Sequence, residues 1–155
     1  MEMDSRCPEC GGMWHNGMTC QDHFHQMLAW EFENPGGAGA VHHLSVLCYN
    51  LQHPSVYSPQ ALHGAKAILA RYVVDGATPQ QIRAQHKQSV DSGHRAYTIR
   101  GTPESQGGYA YPVNWTITIG DVTSGGLAGY CERVEVWSGS VYEALVNSGN
   151  YTPLP

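Results

Sequence analysis

Cys7-Pro8-Glu9-Cys10-Gly11-Gly12, then Cys20, then Tyr49-Asn50-Leu51-Gln52-His53-Pro54 frame the stretch that decides the fold. Residues 7–54 hold four of the five cysteines and most of the histidines. Two thiols three positions apart reach one ion when the backbone turns tightly between them, and the glycines after Cys10 permit that turn. Thiolate and imidazole together suit zinc. A redox reading of Cys-x-x-Cys is weaker, because this pair neither follows a strand nor opens a long helix.

Between these markers the periodicity predicts two helices. Thr19, with Asp22 three residues on, is placed to cap the first, over residues 20–33. Phe24, Met27, Leu28 and Glu31 form one face of it, which Cys20 continues backwards. Asn34-Pro35-Gly36-Gly37 ends it. The second helix, over about residues 40–53, carries the apolar stripe Val41, Leu44, Leu47, Cys48 and Leu51, and Pro54 stops it. A short connection makes the two antiparallel neighbours of about 20 Å each. Cys20 then lies beside His53, so Cys7, Cys10, Cys20 and His53 are the expected metal ligands. A closed Cys3His set leaves no open position, which points to structural zinc. His23, His25, His42 and His43 remain competing ligands. The far end of the pair gathers His42 and His43 with Glu31 or Glu33, either as a second polar site or as a hydrogen-bonded core pair. Cys48 reads as core filler.

These residues resemble a family of small, mostly bacterial proteins known only as a domain of unknown function. The resemblance rests on Cys7-x-x-Cys10-Gly11, Cys20, Val41-His42-His43-Leu44 and Tyr49-x-Leu51-Gln52-His53-Pro54. It implies that residues 7–54 are a shared unit, and it raises His42 beside His53 as a ligand. It implies no reaction.

Downstream, Ser58-Pro59 starts a third helix over residues 58–74. Thr78-Pro79 repeats the signal for a short, polar helix reaching about Val90. Residues 91–126 read as an extended insert rich in Gly and Tyr, with a candidate short strand at residues 96–99, either a short strand or a packed extended segment at residues 115–119, and a Gly-rich turn at residues 121–126. The last helix is expected to run from Leu127 or Ala128 to Asn147, with Tyr130, Val134, Trp137, Val141 and Leu145 as its stripe and a frayed tail beyond. The tyrosines and tryptophans are placed either to line a pocket against residues 97–119 or to fill the core, as expected for Trp115 and Trp137. His86 and His94 read as surface groups.

The chain has 155 residues with 13 acidic and 8 basic side chains, a formal charge of -5. That length suits one mainly α domain, residues 1–155: an antiparallel helical bundle with an amino-terminal zinc knuckle. Arg6 is the one basic residue before Lys66, which argues against a phosphate-binding surface. No apolar run reaches the roughly 18 residues needed to span a bilayer, and residues 1–6 lack the apolar core of a signal peptide. The expected setting is therefore cytoplasmic. No nucleophile elbow, His-Glu-x-x-His pair or dinucleotide fingerprint is present. The expected function is that of a zinc-stabilised binding or adaptor protein whose partner is a protein or a small molecule. The alternative is a metal-dependent enzyme using His42, His43 and Glu31.

Overall fold

The computed structural model describes residues 6–14, 17–78, 80–82, 84 and 99–153. It is mainly helical: α1 (Cys20–Glu33), α2 (His42–Gln52), α3 (Pro59–Val73), α4 (Ile119–Thr123) and α5 (Tyr130–Asn147), with single 3-10 turns at Ala38–Val41 and Pro54–Val56. Local chemistry sets each start. The Thr19 hydroxyl accepts the Asp22 N–H at 3.2 Å, and the Asp22 carboxylate returns to the Thr19 N–H at 2.9 Å, satisfying two otherwise orphaned donors. Ser58 takes the Ala61 N–H at 3.2 Å, with Pro59 in the first turn of α3. At the other end of α2, Pro54 disfavours helical backbone at His53, whose φ is -130° and ψ 65°.

The core is built on α2, which packs against both α3 and α5. Leu44, Leu47, Cys48 and Leu51 share it with Leu62 and Leu69 of α3 and with Val134, Trp137 and Val141 of α5. Leu51, Leu69 and Trp137 are fully buried, and each of the two leucines contributes roughly 2 kcal/mol. Cys48 is as deeply enclosed. Burial pushes its thiol well up, so it behaves as a small hydrophobe.

Helices α1 and α2 run antiparallel, because contacts join them at both ends: Phe24 stacks on Tyr49 at 4.2 Å, and Glu31 meets His42 at 2.8 Å. Helix α5 begins at the same end as α2, where the Tyr130 hydroxyl donates to Glu31. Residues 99–107 lie along the 3-10 turn after α2, through Ser58 N–H to Ile99 O (2.7 Å), Gly101 N–H to Val56 O (3.0 Å) and Gly107 N–H to Tyr57 O (2.7 Å). Gly101 makes this approach possible. A Cβ there would sit 2.5 Å from the carbonyl oxygens of both Ser55 and Tyr57.

Several expectations are corrected. Of the two readings of residues 115–119, the strand is not formed. Thr118 and Asp121 make a second capping box, and this start signal outweighs the alternation of Trp115–Ile119, placing Ile119 and the supposed turn at 121–123 in α4. Ala40 and Val41 belong to a 3-10 turn, so α2 begins at His42. α5 begins at Tyr130, after Gly129 at a φ of 73°. The tail is tied down: Asn150 takes the Tyr111 N–H at 3.2 Å and donates to its carbonyl at 2.9 Å, and Tyr151 packs edge-on against Tyr142. The strand expected at residues 96–99 and most of the short polar helix after Thr78, with His86 and His94, lie outside the described residues.

Candidate metal centre

The knuckle is a tight turn. Cys7 O accepts the Gly11 N–H and Gly12 O accepts the Cys7 N–H, each at 2.9 Å. Gly11 has a φ of 72°, a conformation that side-chain-bearing residues rarely adopt. At Gly12 the constraint is space: a Cβ would come within 2.8 Å of Thr118 Oγ1 and 3.3 Å of Cys10 Sγ. That bare backbone lets amides approach sulfur. Cys10 N–H points at Cys7 Sγ (3.5 Å), and Gly12 N–H at Cys10 Sγ (3.4 Å).

Onto this turn α1 delivers Cys20 from its first residue, and α2 delivers His53 from just past its last. One donor atom from each of Cys7, Cys10, Cys20 and His53 lies within 4.8 Å of the other three, and all four residues are buried. Cys10 and Cys20 sulfurs are 3.6 Å apart, and Cys7 Sγ is 3.5 Å from His53 Nε2. The first separation is far beyond the roughly 2.0 Å of a disulfide. A tetrahedron with metal–sulfur bonds of about 2.3 Å and a metal–nitrogen bond of about 2.0 Å has edges of roughly 3.8 and 3.5 Å. The cluster is therefore already proportioned to coordinate a metal ion.

The surroundings complete it. The His53 Nδ1–H donates to Tyr49 O at 2.7 Å. This leaves Nε2 as the nitrogen that faces the sulfurs and gives up its proton to a metal ion, the usual outer support of a ligating histidine. Tyr49 also stacks on the His53 ring at 4.2 Å, and Trp14 Nε1–H donates to Cys20 Sγ at 3.4 Å. Burial works against charge on His53, yet the Cys20 and Cys7 sulfurs and the Tyr49 carbonyl raise its pKa to about 10. Cys7 is pushed far down by hydrogen bonds from Cys10 and Cys20, while Cys10 is pushed far up by Cys20 and Cys7. Three thiolates crowded in a buried site repel one another, and a bound cation is what allows them to ionise together.

The other histidines lie elsewhere. His23 Nδ1 meets the Thr123 hydroxyl at 2.8 Å, and His25 is exposed. At the far end of the helix pair, Glu31 is buried and accepts from His42 Nδ1–H (2.8 Å), Ser45 Oγ–H (2.5 Å) and Tyr130 O–H (2.5 Å). Glu33 is exposed, so Glu31 is the carboxylate of this end. Burial, and then the Glu31 hydrogen bond, push the Tyr130 phenol well up, which keeps it a donor. Among the described residues no second set of three Cys, His, Asp or Glu side chains converges in this way.

Three of these features escape a reading of the sequence. Trp14 reads as a loop anchor, although its indole serves Cys20. Ser45 and Tyr130 carry no motif, and the Tyr130 contact spans 99 residues. The Gln52 amide donates to Ile117 O at 2.7 Å, pinning the segment that enters α4.

Fold and site together define a mainly helical protein with a buried Cys3His cluster able to coordinate a metal ion. The chain belongs to a family of unknown function, DUF5946, whose model matches residues 5–146. Comparison with curated proteins and with solved structures gives no match.

Proposed function

We propose that Cys7, Cys10, Cys20 and His53 hold a structural zinc ion in a one-domain, cytoplasmic binding or adaptor protein. The observation that carries this reading is the donor geometry: three sulfurs and one imidazole nitrogen, buried and all within 4.8 Å of one another, with the Cys10–Cys20 and Cys7–His53 separations matching the edges of a zinc tetrahedron. All four positions belong to protein side chains, so the shell is closed and the metal's work is to join the knuckle to α1 and α2. A closed shell favours structure over catalysis. The Glu31 end supports the same view, since both carboxylate oxygens are taken by protein donors. Among the described residues no helix is long and apolar enough to cross a membrane.

The test is metal content. Untagged protein purified under reducing, non-chelating conditions is expected to carry one zinc per chain, and Cys7→Ser to carry none. Metal-free wild-type protein that is fully folded would sink the proposal.

A further inference from the structure

Directly beside the metal cluster an open groove of about 410 Å³ is lined by Glu9, Pro54, Tyr109, Tyr111, Pro112 and Trp115, among others. Its lining comes from two sources. Glu9 lies between Cys7 and Cys10, and Pro54 follows His53, so the metal cluster sets one wall. The rings of Tyr109, Tyr111 and Trp115 set the other.

Those rings are held in place before any ligand arrives. The Tyr109 hydroxyl donates to Leu51 O, and its ring meets Trp115 edge-on at 5.9 Å. Asn150 clamps the Tyr111 backbone on both its N–H and its carbonyl. Tyr111 nevertheless leaves 56% of its surface exposed. Glu9 is anchored through Oε1, which accepts the Ser55 N–H at 3.3 Å; among the described residues Oε2 takes no hydrogen bond. Lys66 stands over the Tyr109 ring at 5.9 Å and donates to Asn150 O at 2.8 Å, but it is not among the lining residues.

We propose that this groove docks an extended segment of a protein partner, with an arginine stacked on the rings and forked onto Glu9, and proline beside it. Charge complementarity selects the arginine. The one charged group in the lining is a carboxylate, the chain as a whole carries -5, and aromatic faces attract a guanidinium further. Flat walls of rings and prolines select the neighbour, since an extended proline-rich backbone packs on such surfaces with little entropy left to lose. An open groove suits a chain passing through it rather than an engulfed small molecule. The inference deepens the reading of the protein as a binding module.

The experiment titrates full-length protein as purified, untagged and under reducing, non-chelating conditions, by calorimetry and tryptophan fluorescence, with four probes. They are a capped proline-proline-arginine-proline-proline peptide, the same peptide with glutamine or with glutamate at its centre, and N-acetyl-arginine amide. The arginine peptide is expected to bind about tenfold more tightly than the glutamine peptide, and the glutamate peptide more weakly than either. Glu9→Gln is expected to erase the arginine preference, and Trp115→Ala to weaken both, with circular dichroism confirming that each variant is folded. Three results overturn the proposal: no binding of the arginine peptide at millimolar concentration, equal affinity for arginine and glutamine peptides, or N-acetyl-arginine amide binding as tightly as the peptide. Zinc content measured on the same samples separates the two readings. One zinc per chain with no peptide preference overturns the groove alone, whereas peptide preference without zinc overturns the metal assignment alone.

Discussion

The two ends of the α1–α2 pair are built alike and resolved differently. Cys20 and Glu31 are 11 residues apart on α1, and His42 and His53 are 11 apart along α2, so the two polar ends stand about 16 Å from each other. At the Glu31 end, a carboxylate faces three protein donors, and acceptor and donors answer one another completely. At the Cys20 end, three sulfurs and the imidazole Nε2 face inward together. Groups of one polarity brought together in a dry site call for a cation, while groups of opposite polarity close on themselves. Burial alone does not separate a binding site from a structural hydrogen-bond network; the balance of donors and acceptors does.

The largest expected effect breaks the first end. Cys7→Ser, or chelation of the wild type, is expected to remove the metal and melt the unit of residues 6–54, because structural zinc binding is itself folding free energy. Loss of the α1 and α2 helical signal by circular dichroism checks it; unchanged ellipticity after verified metal removal would refute the asymmetry between the ends. Next comes Glu31→Ala, which strands the buried hydroxyls of Ser45 and Tyr130 and is expected to cost about 3 kcal/mol. Urea denaturation measures this, with zinc content expected to stay at the wild-type level, since the ends share no ligand. Tyr130→Phe removes one of the three donors and is expected to cost about 1.5 kcal/mol. A loss as large as that of Glu31→Ala would mean that Tyr130 alone holds the carboxylate. The smallest effect is Thr19→Ala, which deletes the cap of α1 and is expected to cost about 1 kcal/mol while slightly weakening metal retention, because Cys20 sits in the turn that Thr19 starts. A thermal melt with and without added zinc reads both.

Much of the first end was legible because its determinants are local. Cys7, Cys10 and the glycines lie within six residues, Thr19 and Asp22 mark the start of α1, and Pro54 stops α2 just after His53. A short connection then brings Cys20 to His53. At the second end, Glu31 stood out as a carboxylate on an apolar face, yet its partner Tyr130 lies on a helix that only tertiary packing brings near. The strand reading of residues 115–119 fails for a different reason. Trp115-Thr116-Ile117-Thr118-Ile119 alternates like a strand, but Thr118-Ile119-Gly120-Asp121 is the same cap signature as Thr19-Cys20-Gln21-Asp22, and among the described residues no neighbouring strand rewards the alternation. Hydrogen-bond satisfaction at a helix start outweighed periodicity.

The Cys7–His53 contact joins residues 46 apart in sequence. A zinc ion tying those two side chains closes a loop of that length in the unfolded chain, and a permanent link of such span is worth about 4 kcal/mol of lost chain entropy. The ion would then act on the disordered ensemble as much as on the folded form, holding the two ends of the helical hairpin within reach while α1 and α2 form. Refolding with zinc present should accordingly outpace refolding to which zinc is added late, and the knuckle becomes a kinetic starting point as well as a brace.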